Sequence, residues 1–254
     1  MNTCFMIFVM GALSMALSSC GAHSKEGLPP GSLFAGQGEK EKPGLPDGTA
    51  VGDITSHSAE LWLKTQGPKQ IQVEWASLEA WKRMSAMASI QSPAARTSSV
   101  LTGPETDFTL TVPLENLSPG TRYRYYILVK DPDQRSAPAQ RAAQGEFTTL
   151  PDLATSVPMM FAWSGDLGGQ ERCRQGEAGY PILDTIREQK PDFFIFLGDT
   201  IYSDHVCLLP PNEPGYNFIA TTLQEYRAKH HYQRGATALR RLLASVPVYV
   251  MCGF

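Results

Sequence analysis

The sequence predicts an all-β sandwich followed by the opening βαβαβ of an α/β domain, and three observations carry that prediction. Residues 49–150 hold short runs that alternate apolar and polar side chains with period two, separated by turn residues. Residues 157–254 change to nearly continuous apolar runs spaced by stretches of helical periodicity. Two of those apolar runs stop at a Gly-Asp, in SGDLG and in LGDTIYSD.

The chain has 254 residues, enough for two modest domains. Its 22 Lys and Arg are dispersed among 25 Asp and Glu for a net charge of -3, which argues against a nucleic-acid surface held by phosphate neutralisation. Residues 1–20, MNTCFMIFVMGALSMALSSC, contain an apolar run over 5–17 that is too short to span a bilayer and reads as a signal peptide. Leu17-Ser18-Ser19-Cys20-Gly21 resembles a bacterial lipobox, which implies acylation of Cys20, export, and a periplasmic, outer-membrane or extracellular location. No Lys or Arg stands near Met1, a departure from most such signals. Cys4 and Cys20 belong to this segment, leaving Cys173, Cys207 and Cys252, which allow at most one intramolecular bridge. Cys173 and Cys207 read as a disulfide or as free thiols rather than metal ligands, because their spacing matches no zinc cluster.

Residues 21–48 are rich in Gly, Pro, Ser, Lys and Glu and show no periodicity, the composition of a flexible linker. The sandwich follows over 49–150. Leu61 and Leu63 share one face of a strand, as do Val73 and Trp75, and Tyr123, Tyr125 and Ile127. No strong helix is expected among these strands. The run LSPGTRYRY, 117–125, resembles the corner before the sixth strand of fibronectin type III domains, where Pro119-Gly120 turns the chain and the Tyr123 hydroxyl ties back to the backbone. With no clustered polar site in it, the module reads as a spacer packed against a catalytic partner, and Trp62, Trp75 and Trp81 read as core or half-buried.

Past Pro151 the pattern changes. Residues 157–164, VPMMFAWS, form an apolar strand. Residues 179–190 place Ile182, Leu183 and Ile186 on one helical face before Pro191 stops the helix. Residues 192–197 lack polar alternation and so predict a strand buried on both faces. Helices are expected over 221–234 and 236–245, the second turning Leu239, Leu242 and Leu243 inward, and VPVYVM over 246–251 closes the set as a third buried strand. Such a βαβαβ order predicts a parallel sheet with right-handed crossovers.

Functional groups in an open parallel sheet gather at the carboxyl edge of the strands. A right-handed βαβ unit that sets its strands side by side brings Asp166 and Asp199 together there. Two adjacent carboxylates repel unless something positive lies between them. Tyr202, three residues after the second acid, adds a phenol oxygen, a hard donor suited to ferric iron. Asp204 reads as a solvated loop acid, and His205, His230 and His231 as loop or helix-surface residues. Arg172 and Arg174, in the loop after Asp166, are candidates to meet a phosphate, although exposed loop arginines usually do nothing specific.

Gly165-Asp166-x-Gly168 and Gly198-Asp199-x-x-Tyr202 resemble the first two motifs of the calcineurin-like metallophosphoesterase superfamily, in the form seen in purple acid phosphatases and PhoD-like alkaline phosphatases. Together with the preceding sandwich, the signal and the run LGDTIYSD, the chain from about residue 48 to 254 is similar to the PhoD-like branch. The resemblance implies an α/β metallophosphoesterase domain over 157–254. It implies a phosphate mono- or diester substrate and hydrolysis through a hydroxide activated by a dinuclear metal centre. Asp166 would bind one metal, Asp199 would bridge two, and Tyr202 would complete a ferric shell. The cysteine that serves as an iron ligand near the first motif in that branch has no counterpart in Ser164-Gly165, so iron with calcium and another divalent pair both stay open.

The resemblance further implies a later segment similar to Trp-Asp-Asp-His-Glu and still later histidines. The third strand here is followed by Cys252-Gly253-Phe254, so the sequence reads as a truncated catalytic domain, with weak or no activity expected. The alternative from a different class is a non-catalytic, lipid-anchored surface binding module.

Overall fold

The computed structural model describes residues 8–9, 44–87, 95–134, 136–168, 174, 176, 178–206 and 217–251. Cys20, Arg172, Cys173, Cys207 and Cys252 lie outside the described residues. The elements run β1 (Phe8–Val9), β2 (Thr49–Gly52), β3 (Ala59–Lys64), β4 (Gln70–Ser77), α1 (Leu78–Met87), β5 (Ala95–Arg96), β6 (Val100–Leu101), β7 (Thr109–Leu114), β8 (Arg122–Lys130) and β9 (Gln140–Thr148). They continue with β10 (Met160–Ser164), α2 (Ile182–Glu188), β11 (Phe193–Phe196), α3 (Leu223–Arg234), α4 (Thr237–Ser245) and β12 (Val248–Val250).

Period-two alternation makes the first half. An antiparallel sheet of order β2-β3-β7 faces a second, β5-β4-β8-β9, with β6 also paired to β4. Leu61, Leu63, Val73, Tyr125 and Ile127 come from both sheets and are almost wholly enclosed in one shared core. The amide of Ser118 donates to the Tyr123 hydroxyl at 2.9 Å, and Gly120 adopts φ +55° beside it, a conformation that favours glycine. Helix α1 departs from the sequence expectation of strands alone. Trp81 on α1 donates its indole N–H to the Arg124 carbonyl and packs edge-on against Tyr126, so contact with β8 holds a helix that periodicity alone did not mark. Residues 44–48, read from sequence as the end of the linker, belong to the folded body: Leu45 lies in the sandwich core and Asp47 is buried.

The second half is parallel where it matters. Strand β10 pairs with β11, and β11 with β12, both parallel, in the order β1-β10-β11-β12, with β1 antiparallel at the edge. Helix α2 connects β10 to β11, while α3 and α4 connect β11 to β12. Helix α3 opens with a reciprocal cap: Thr222 accepts from the Glu225 amide, and the Glu225 carboxylate accepts from the Thr222 amide. Leu183 and Ile186 of α2, and Leu239, Leu242 and Leu243 of α4, cover Ala162, Phe194 and Phe196.

Three sequence expectations need correction here. The run VPVYVM is not a buried strand throughout: β12 leaves Tyr249 and Val250 exposed. Ile182 does not join its neighbours inward; it is 42% exposed, because the buried face of α2 is set by Leu183 and Ile186 and Ile182 lies to one side of it. Strand β11 is not buried on both faces. Phe194 and Phe196 are enclosed, but Phe193 and Ile195 are half-buried, since the two helices cover one face only. On the other face Phe161 stacks on Phe193 and Phe193 meets Tyr249 edge-on. Continuous apolar sequence does not tell a covered face from one left part-exposed.

The halves dock through α4. The Tyr125 hydroxyl, fully enclosed, donates to the Ala244 carbonyl at 2.9 Å and bonds Thr49 Oγ1 at 2.8 Å. A Cβ on Gly145 would stand 2.2 Å from the Ala244 carbonyl oxygen, so glycine is required for this approach. Asp47 bonds His231 of α3, Arg240 of α4 donates to the Pro46 carbonyl, and the Arg234 guanidinium lies over the Trp62 ring at 3.9 Å.

Candidate metal centre

Strands β10 and β11 lie side by side with Ser164 opposite Phe196, so the turns that follow them emerge together at one edge of the sheet. The Leu197 amide donates to the Ser164 carbonyl at 2.8 Å and the Leu167 amide to the Asp199 carbonyl at 2.7 Å, which stitches the two turns to each other. Leu167 is buried and anchors the first turn, and Gly168 follows at φ +100°, a conformation that favours glycine. The Asp199 amide donates to Asp166 Oδ1 at 3.2 Å. Gly198 makes that contact sterically feasible, since a Cβ there would sit 2.1 Å from the same carboxylate oxygen.

Both carboxylates remain exposed at the edge. Tyr202 is half-buried, and its enclosed hydroxyl oxygen meets the Asp166 carboxylate without a well-formed hydrogen bond. Burial first, then the Asp166 carboxylate, then Asp199 and Tyr180, push its ionisation well above the usual phenol range. An enclosed hydroxyl with no well-formed hydrogen bond, next to two acids, is costly unless a cation satisfies all three. The donor set of two carboxylates and a phenol therefore fits a hard metal ion. Among the described residues no group of three or more His, Cys, Asp or Glu is placed to hold a metal ion; the acids that meet here are Asp166 and Asp199.

The remaining candidates fall outside that cluster. Asp204 is exposed and pairs with His205 at 3.1 Å. His230 lies on the outer surface of α3, whereas His231 is not a simple surface residue: it holds Asp47. Arg174 is corrected more sharply. It is buried rather than exposed, its Nη1 donates to the Tyr232 carbonyl and its guanidinium stacks over the Tyr232 ring at 4.3 Å, so it braces α3 instead of facing solvent. Sequence reading also passed over Lys229, Tyr180 and Gln233. The signal available was a helix, LQEYRAKHHYQR, with no apolar stripe to bury.

Two family models match the chain: PhoD-like phosphatase, N-terminal domain, over residues 31–151, and PhoD-like phosphatase over residues 161–252. The chain belongs to the PhoD-like phosphatase family. The second match spans both acid-bearing turns and all of α2, α3, α4 and β12. A solved structure of PhoD is similar at 22% identity and a TM-score of 0.61, over 83% of this chain and 39% of that one. A purple acid phosphatase, PPD1 from yellow lupin (Lupinus luteus) seeds, is similar at 13% identity and a TM-score of 0.50, over 82% of this chain and 36% of that one. At these identities the likeness is one of fold. The chain spans well under half the length of either structure. No curated protein sequence matches it.

Proposed function

We propose that this chain carries part of a metal-dependent phosphoesterase site, in which Asp166, Asp199 and Tyr202 hold the metal centre and phosphate mono- or diesters are the substrate class. The single observation that carries the reading is the Asp199 amide bonded to the Asp166 carboxylate at the end of adjacent parallel strands, with the enclosed Tyr202 oxygen beside them. A dinuclear centre there, iron with calcium or another divalent pair, would supply Lewis acidity toward a phosphoryl oxygen and a water of lowered pKa.

The work of the chain itself is positional. Asp199 would be the ligand shared by the two metals and Asp166 a ligand of one. The stitched backbone fixes the spacing of both before anything binds. Burial and the two acids disfavour the Tyr202 phenolate and hold its proton; as a phenolate it would be a hard oxygen donor to a bound cation. No protein nucleophile is required.

Three oxygen donors do not fill two shells of roughly four to six positions each. Weak metal binding and slow turnover are expected of these residues by themselves.

The first half is read as a fibronectin type III-like sandwich that serves as a packing partner rather than a glycan platform. Its Tyr125 and Gly145 are committed to α4 and its Trp62 to Arg234. The export reading, with Cys20 acylated as a membrane anchor, rests on the apolar run over 5–17 and the sequence LSSCG. No helix among the described residues is long and apolar enough to cross a membrane.

The test is metal analysis with a nitrophenyl phosphate assay on the purified chain. Iron or a divalent metal should co-purify or bind on titration and vanish with Asp166→Ala, and any hydrolysis should vanish with Asp199→Asn. A chain that stays metal-free at millimolar metal would remove the reading and favour the surface-module alternative.

A further inference from the structure

We propose that α3 is the element that registers the two acid-bearing turns, with Lys229 and Gln233 as positioning residues for the site. The proposal rests on the metal-site reading for its purpose, but its structural content stands apart from it.

A helix in a small domain is ordinarily held by an apolar stripe. Helix α3 instead buries Lys229, Tyr232 and Gln233, which at spacings of three and four residues occupy one face. Burying a lysine and a glutamine is unfavourable unless their polar atoms are bonded, and here the bonds go to the segments that carry the acids. Lys229 Nζ donates to the His205 carbonyl at 3.2 Å, three residues after Tyr202, and sits over the Phe218 ring. The Ala220 amide, just ahead of the helix, donates to the Ser203 carbonyl at 2.7 Å. The turn after β11 is therefore held by α3 and its approach at two points.

Described residues between the turn after β10 and α2 are bonded to the same helix. Gln233 Oε1 accepts from the Tyr180 hydroxyl at 2.9 Å, and the Tyr232 carbonyl accepts from Arg174. Tyr180 and Arg174 both lie on the return path from Asp166 to α2. Two glycines allow this closeness. A Cβ on Gly179 would stand 2.3 Å from the Ala236 Cβ, and one on Gly235 would stand 2.8 Å from Arg174 Nη1. One helix thus bonds the segments that follow both turns, and among the described residues the turns are also joined to each other by three hydrogen bonds. Ligands must be held by their supporting shell to well under an ångström, and this polar face is such a shell.

The experiment is amide hydrogen exchange and manganese(II) titration calorimetry on the full chain, comparing wild type with Lys229→Met, Lys229→Arg and Tyr180→Phe. Lys229→Met keeps the length of the side chain and removes the donor. The Leu167 and Asp199 amides, which bridge the turns, should then exchange about tenfold faster, while the Arg240 and Val246 amides of α4 keep their wild-type rates. Manganese affinity should fall about tenfold, and Lys229→Arg should recover most of both losses. Tyr180→Phe should speed the Leu167 amide similarly, and serves if Lys229→Met does not fold. Unchanged turn amides, or α4 amides accelerating in parallel with them, would overturn the registration role. Manganese binding in Lys229→Met equal to wild type would overturn its purpose. If wild type binds no manganese yet the turn amides respond, the metal reading fails and the registration stands.

Discussion

The backbone amide of Asp199 donates to the carboxylate of Asp166 at 3.2 Å, so the second acidic turn holds the first acid in place. The acids are organised by their own backbone before any cation arrives. That relationship needs Gly198, whose missing Cβ leaves room for the Asp166 oxygen.

Gly198→Ala should separate the site from the fold. The obstructing atom is the tip of an exposed side chain, so the carboxylate swings away at a stability cost of no more than about 1 kcal/mol, one net hydrogen bond. Metal affinity should nevertheless fall roughly 10- to 100-fold, because the ligand has moved. Urea denaturation and metal titration on the same preparation check the two halves of this statement.

Tyr202→Phe should stabilise the metal-free protein. Its hydroxyl is enclosed beside the Asp166 carboxylate with no well-formed hydrogen bond, and removing a poorly satisfied buried oxygen is worth about 1 kcal/mol. With metal present the sign should reverse, since a ligand has been lost. A thermal shift of Tyr202→Phe that goes the same way with and without metal would count against Tyr202 as a ligand.

Tyr125→Phe should loosen the docking of the two halves. It leaves the Ala244 carbonyl and Thr49 hydroxyl short of a partner in a closed interface, a cost of about 1–3 kcal/mol. Gly145→Ala acts at the same place through steric conflict with the Ala244 carbonyl and the Tyr125 ring. Calorimetry should show one cooperative transition in wild type broadening or splitting in two for Gly145→Ala.

The Asp47–His231 contact should make that docking pH-dependent. The hydrogen bond to Asp47 holds the His231 imidazole above its ordinary value, with burial and the charges of Lys64 and Arg174 opposing. A pKa raised on folding contributes stability that is complete below the unfolded value and is lost as pH rises through the folded one. Stability should therefore decline on the alkaline side of about pH 6.5. His231→Gln should flatten that part of the stability curve, measured by melting temperature at constant ionic strength.

Much of the architecture was legible in the sequence because it is written in short-range pattern. Alternation placed Leu61, Leu63, Tyr123, Tyr125 and Ile127 in one core, and helical spacing placed Leu239, Leu242 and Leu243 on the buried side of α4. The acids were legible for the same reason: a Gly-Asp at the end of an apolar run marks the carboxyl edge of a strand, and the βαβ connection makes Asp166 and Asp199 neighbours. What the tertiary structure alone decided involves partners far apart in the chain. Arg174 turned from a phosphate candidate into a brace for α3, and His231 from a surface residue into the hold on Asp47. Lys229 and Gln233, unremarkable in sequence, proved to be buried and bonded to the turns. Local periodicity determines which face of an element is apolar, but the partner of a buried polar atom depends on where distant segments meet, and that is a property of the packed chain.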